Sequence, residues 1–427
     1  MRLASQLSAR RGSGLPWLAS AAWILSMTAC APADDAARRP RVDAEGVAHL
    51  PATTVPASRF MSPEARAKFI QSFSHAAPPV AAAPQGPPDY HAMRADDERR
   101  NAPFVARAEA LYPVRIEERV IGGVRTQVIT PRAGVAPENR ERLLINLHGG
   151  GFIWGEGNGA RVESIPIAGL GRITVVTVAY RMAPEFRFPA ASEDVAAVYR
   201  ELLKDHRAEN IGIYGCSAGG ILAGEAVAWF QKEKLPLPGA IGTFCGSIAA
   251  LGGDSSHLAQ PLVGEQAFTD ADSGSMGGPY FSDTSATDPL AMPVLSPELL
   301  RHFPPTLLIA GSRDFMVSSL FRAQAALSNA GVDAQLHVWD GMWHAFFFDP
   351  DLPESREVYR VVVDFFDRSL GRPRNAVVLP TGWYCTFSAA PATLSQLPDG
   401  RVRLDYWDDR PEAVDVLLKA RRRAAAP

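Results

Sequence analysis

Residues 211–220 read IGIYGCSAGG, a short buried β pattern running straight into a glycine-framed serine. Ile211 to Tyr214 is apolar enough for a strand covered on both faces, and the stretch from Ile221 to Phe230 is apolar and Ala-rich, as a packed helix would be. Between them, Gly215-Cys216-Ser217-Ala218-Gly219 fits G-x-S-x-G. A strand that turns sharply into a helix leaves no room for side chains beside the turn, so Gly215 and Gly219 must be small. The same turn lifts the Ser217 hydroxyl above the sheet edge and points the Ala218 N–H from the helix start toward it.

Outward from this stretch the texture repeats. Short apolar runs recur at Leu143 to Leu147, Ile173 to Ala179, Thr306 to Ala310 and Gln335 to Trp339. Helical patterns lie between and after them, at 190–205, 219–233, 318–330 and about 354–370. Buried strands alternating with helices predict an α/β fold with a mostly parallel central sheet and helices on both faces. Before it, Val114 to Val120 and Val124 to Thr130 flank Gly122-Gly123, a hairpin signal. Ser62-Pro63 opens a predicted helix from about Phe60 to Phe73, and 91–111 reads as a second.

Three further stretches carry chemistry. His148-Gly149-Gly150-Gly151-Phe152 follows the run Leu143 to Leu147, and its glycines let backbone N–H groups approach a ligand oxygen. A serine needs a base to take its proton. Among the nine histidines, His344 stands after the strand Gln335 to Trp339 and the turn Asp340-Gly341-Met342-Trp343. The base needs an orienting carboxylate. Asp314 follows the run Thr306 to Ala310 through Gly311-Ser312-Arg313, at the carboxyl end of a parallel strand where such sheets place their sites. Asp283 and Asp288 are alternatives, but neither follows a strand. The order Ser217, Asp314, His344 is that of the α/β-hydrolases.

With these motifs the chain, over about residues 90–370, resembles the hormone-sensitive-lipase-like branch of the α/β-hydrolases, bacterial carboxylesterases that include acetyl esterases and monoterpene ε-lactone hydrolases. The resemblance rests on HGGGF (148–152), YRMAPE (180–185), FPAASED (188–194), GCSAGG (215–220), GSRD (311–314) and GMWHAFF (341–347). It implies that the N–H groups of Gly150, Gly151 and Ala218 form an oxyanion hole. It also implies that the helices at about 60–111 form a cap, and that YRMAPE and FPAASED brace the site. The chain departs from the family at three places. Cys216 stands where many members carry Asp, Asp314-Phe315-Met316 where many have Asp-Pro-Leu, and His344-Ala345 where many have His-Gly.

Composition bounds the reading. Lys and Arg number 43 against 46 Asp and Glu, a net charge of -3, so the basic excess of a nucleic-acid binder is missing. Cys30, Cys216, Cys245 and Cys385 show neither metal-ligand spacing nor a disulfide framework, and neither metal nor organic cofactor is implied. At the N-terminus, Arg2, Arg10 and Arg11 precede the apolar run Leu15 to Ala29, a signal-peptide pattern. It ends at Met27-Thr28-Ala29-Cys30, which resembles the lipobox of bacterial lipoproteins. Residues 1–29 are then a signal peptide and Cys30 a lipidated anchor on the periplasmic side of a membrane. Cleavage near Ala31 or Ala33 would instead give a periplasmic or secreted protein. Residues 30–58 read as a flexible Ala/Pro-rich tether, 59–370 as the catalytic domain with its cap, and 371–427 as an extension without a functional reading, with a strand at Arg401 to Trp407 and a helix from Pro411 to Arg423.

The expected activity is hydrolysis of small apolar esters or lactones by a Ser217-His344-Asp314 triad. An amidase or deacetylase with the same triad, and a surface lipoprotein whose fold serves only binding, are the alternatives. Phe152, Trp154, Phe188, Phe346, Phe347 and Phe348 could line an apolar pocket or belong to the core.

Overall fold

The computed structural model describes residues 40–74, 88–249, 251–263 and 278–371, together with the backbone of five short strands between 375 and 422. The signal segment, Cys30 and Cys385 lie outside the described residues. Two compact units result, Met1–Pro56 and Ala57–Pro427. In the first, Arg41–Val42 (β1) and Ala48–His49 (β2) form an antiparallel hairpin inside the stretch read as a tether. Asp43 closes its turn by accepting from the Glu45 and Val47 N–H groups at 3.1 and 2.8 Å.

The second unit opens with Pro63–Phe73 (α1), and Ser62 caps it as its sequence predicts. The Ser62 hydroxyl accepts from the Ala65 N–H at 3.0 Å and donates to Glu354 at 2.9 Å. Tyr90–Leu111 (α2) follows, capped by Asp89. Of its residues, Asp97, Asn101, Val105 and Ala108 are buried. The middle of this helix therefore buries polar groups.

The sheet then assembles in order of sequence. Its strands and helices are Val114–Ile121 (β3), Val124–Pro131 (β4), Leu143–Leu147 (β5), Asn158–Gly171 (α3), Thr174–Val178 (β6), Ala190–Leu202 (α4) and Ile211–Cys216 (β7). Ala218–Lys232 (α5), Ala240–Phe244 (β8), Asp254–Val263 (α6), Pro297–Leu300 (α7), Thr306–Gly311 (β9), Val317–Asn329 (α8), Ala334–Trp339 (β10) and Pro353–Ser369 (α9) complete it. The strands lie in the order β10-β9-β8-β7-β5-β6-β4-β3. From β10 to β6 all pairs are parallel, and the β3–β4 hairpin joins antiparallel at the β6 edge.

Side chains alternate across this sheet as the two-residue period requires. Leu143, Ile145 and Leu147 pack with α4, α5 and α8 on one face, and Leu144 with α2, α3 and α9 on the other. The architecture is the expected α/β one. Four elements of this sheet and its flanking helices are additional to the sequence reading, namely α3, β8, α6 and α7. β8 is a thin strand whose Gly242 lies against the Phe244 ring, and α3 carries Pro166 and several glycines. These two are glycine- or proline-weakened locally and are held by packing on either side.

Beyond 371, Asn375–Leu379 (β11), Ala392–Gln396 (β13) and Val402–Tyr406 (β14) form a small antiparallel sheet. Trp383–Tyr384 (β12) pairs with Arg421–Arg422 (β15). The strand expected at 401–407 is therefore present. The helix expected over 411–423 does not reach Arg421 and Arg422, whose backbone is engaged in strand pairing. Residues 411–420 lie outside the described residues.

Candidate active site

β7 ends at Cys216 and α5 begins at Ala218, so Ser217 sits alone at the turn with φ +55° and ψ -120°. That is unfavourable for a residue with a Cβ, and it persists because neighbours fix it. The Ser217 N–H donates to the Phe244 carbonyl at 2.7 Å, and the Ser217 carbonyl accepts from Ile221 at 3.0 Å. A Cβ on Gly215 or Gly219 would overlap the Leu147 carbonyl. These two glycines are thus required by the close passage of the elbow over the end of β5.

The loop after β5 faces this elbow. His148 is buried, its ring stacked on Tyr180 with centroids 4.2 Å apart, and its Nδ1 donates to the Gly149 carbonyl at 2.8 Å. Burial lowers its pKa to about 4, so the ring is neutral at physiological pH and structural in its contacts. The Tyr180 hydroxyl donates to the His148 carbonyl at 2.7 Å. Arg181 in turn binds Asp194 at 2.9 Å and Glu193 at 2.9 Å, tying the YRMAPE and FPAASED segments together beneath the loop.

One residue here escaped the sequence reading. Glu163, buried on α3, accepts from the Gly149 N–H at 2.8 Å, the Asn146 amide at 2.9 Å and the Cys216 N–H at 3.2 Å. It links β5, the glycine loop and the elbow. Burial raises its pKa to about 8 against the lowering effect of those three donors. A carboxyl group that burial favours in its neutral form is therefore held against the elbow from α3, while position 216 itself carries a neutral thiol whose pKa burial raises to about 11. Its sequence signal was weak, a Glu in a stretch holding Pro166 and three glycines that did not read as a helix.

On the other side, Asp314 is fully buried after β9. Its Oδ1 accepts from His344 Nδ1 and from the Met316 N–H, at 2.9 and 2.8 Å. The alternatives lie elsewhere: Asp283 pairs with Arg187 at the surface, and Asp288 accepts from the Leu290 N–H at 2.9 Å. His344 packs on Phe315, with ring centroids 4.5 Å apart. Cys245 is buried nearby and accepts the Ala345 N–H at 3.4 Å.

These pieces share one cavity of about 330 Å³, lined by Ser217, His344, Gly149, Gly150 and Gly151 among others. Ala218, the first residue of α5, is buried next to Ser217. The six aromatics divide. Trp154 and Phe348 line the cavity. Phe152 is core, stacked on Tyr280 at 4.5 Å, and Phe346 and Phe347 are buried behind it in the opposite layer. Phe188 packs on Phe281. The cavity also takes in Asp97 and Asn101 of α2, which the sequence did not single out.

Comparison with known proteins agrees with this architecture. Residues 144–348 match the α/β-hydrolase fold family model. An acetyl-hydrolase of Streptomyces hygroscopicus is 30% identical over 233 residues, covering 54% of this chain and 77% of that protein. The crystal structure of an esterase superposes with a TM-score of 0.64 at 28% identity, over 75% of this chain and 98% of that one. An esterase from the bacterial hormone-sensitive lipase family does so with a TM-score of 0.60 at 26% identity, over 73% and 99%. The chain belongs to the α/β-hydrolase fold family, within its hormone-sensitive-lipase-like esterase branch, and is a carboxylesterase-type hydrolase.

Proposed function

We propose that Ser217 is the nucleophile of an esterase for small carboxylic esters, lactones included. The observation that carries this is the 2.9 Å contact from His344 Nδ1 to buried Asp314, at the cavity that Ser217 enters from its elbow. With Nδ1–H committed to the carboxylate, Nε2 of His344 is left as the base. It takes the Ser217 proton as Oγ attacks the carbonyl. The developing oxyanion is held by the N–H groups of Gly150, Gly151 and Ala218, of which each is worth about 2.7–4 kcal/mol of activation energy. Nε2–H then protonates the leaving alcohol, and water releases the acyl group from Ser217 by the reverse steps.

The experiment is labelling with a fluorophosphonate probe followed by peptide mapping, alongside turnover of matched esters, lactones and amides. Covalent label on Ser217 with ester turnover supports the reading. Label with amide turnover alone would replace the esterase by an amidase. An unlabelled, folded protein without turnover would leave only a binding role.

A further inference from the structure

The wall of the cavity changes character between α2 and α3. Asp97 lines it at 8% exposure, and Asn101, one turn further along α2, is buried to the same extent. Asn101 Nδ2 donates to Asp97 Oδ1 at 3.0 Å. Asp97 Oδ2, by contrast, is buried without a hydrogen-bond partner. A buried acceptor left unpaired is costly, and such groups in a cavity wall mark places where something polar binds. Burial raises the pKa of this carboxyl, with Arg100 acting against it.

Gly159 of α3 faces the pair across the cavity. A Cβ placed there would stand 3.2 Å from Asp97 Oδ2 and 3.9 Å from Asn101 Nδ2, and would meet nothing else within 4 Å beyond its own helix. The space between the two helices here is therefore narrow, slightly tighter than a methyl group's ordinary contact, and exists because Gly159 presents only backbone. It is bordered by an unsatisfied acceptor and by an amide whose second N–H can still donate. The ester-binding centre is walled by glycines, Trp154 and Phe348, so this corner is distinct in chemistry from the rest of the cavity.

We propose that this corner is a hydroxyl-recognition subsite. The ester substrate carries a hydroxyl that donates to Asp97 Oδ2 and accepts from the Asn101 amide. A hydroxyl satisfies both groups at once, whereas an ammonium offers nothing to the amide and a methyl satisfies neither. The preferred substrates are thus hydroxylated esters, not fully apolar ones. The proposal rests on the esterase reading of Ser217 and adds a specificity to it.

The test compares isosteric esters that exchange a methyl for a hydroxyl. Methyl 3-hydroxybutyrate against methyl 3-methylbutyrate probes the acyl side. 2-Hydroxyethyl butyrate against propyl butyrate probes the alcohol side. In one of the two pairs, kcat/KM is expected to favour the hydroxylated member by about tenfold, the scale of one hydrogen bond to a charged acceptor. Asp97→Leu removes the acceptor, and Gly159→Ala presses a methyl against Asp97 Oδ2 where the hydroxyl would approach it. Each is expected to collapse that ratio, whatever it does to the rate on the apolar ester. Thermal melts identify a variant that has failed to fold, and the other then decides. Ratios at or below one in both pairs, or a ratio that survives in a folded variant, would overturn the subsite while leaving the esterase standing. Failure to turn over any of the four esters or p-nitrophenyl acetate would overturn the esterase reading beneath it.

Discussion

Glu163 shows how much of a site can hang on one residue that touches no substrate. Its carboxyl group accepts from the Gly149 N–H of the glycine loop and from the Cys216 N–H of the elbow. Above pH 8, where Glu163 is ionised, Glu163→Gln sets an NH2 group in place of one accepting oxygen, so either the loop or the elbow is released. We predict a 10- to 100-fold fall in kcat with a smaller change in KM, roughly the cost of an ångström of misplacement. Steady-state kinetics with a folding control would check it. An unchanged kcat would mean that the loop holds itself. His148 gives a pH prediction of definite sign. Its pKa is about 6.5 unfolded and about 4 folded, so the unfolded chain binds the extra proton in that window. The stability from keeping it neutral is full above 6.5 and lost as pH falls toward 4, by roughly 3 kcal/mol at the limit. Denaturant melts from pH 7 to 4.5 should show a shallower loss in His148→Gln than in the native chain. The comparison matters because Glu163, with its raised pKa, contributes the opposite slope between 4.5 and 8. Among residues, the glycines of both motifs were legible because each answers a local backbone demand. Glu163, Asp97 and Asn101 were not, because they reach the site from helices whose placement only the folded chain defines.

At the level of elements, α1 braces the loop that carries His344. Ser62 N–H and Oγ both donate to Glu354 at the start of α9, at 2.7 and 2.9 Å. Phe73 packs edge-on against Trp343, the neighbour of His344, with centroids 5.7 Å apart, and Arg313 lies over the Phe69 ring. Ser58 bonds Asp340 at 2.5 Å and anchors the start of the same turn. Ser62→Ala removes a cap and a donor to a buried carboxylate, so a loss of about 1–2 kcal/mol in unfolding free energy is expected. Urea denaturation would measure it, and no change would mean that the cap is solvated as well without the hydroxyl. The signal for α1 was plain in Ser62-Pro63, a cap followed by a preorganised first residue. α3 and β8 lacked any such signal. Their glycines and Pro166 weaken local propensity, and they form because the sheet on one side and helices on the other leave them no better place.

For the molecule as a whole, the strand-helix alternation from 114 to 370 made the fold legible, since buried parallel strands must be both apolar and short. The β3–β4 hairpin was legible from the alternation of Val114 to Val120 and Val124 to Thr130 around Gly122-Gly123. No helix among the described residues is long and apolar enough to cross a membrane. We propose that the chain is held at a membrane through lipidated Cys30. Metabolic labelling with a fatty-acid analogue should mark the native protein and spare Cys30→Ser, which should leave the membrane fraction. Label on both, or on neither, would argue for another route of export. The central claim concerns Ser217, and the most direct measurement is turnover of p-nitrophenyl butyrate by purified Ser217→Ala. The account predicts a native-like melt and a fall in kcat of about four orders of magnitude or more, as removal of a nucleophile gives in serine hydrolases. A folded Ser217→Ala protein that hydrolyses the ester at the native rate would contradict it.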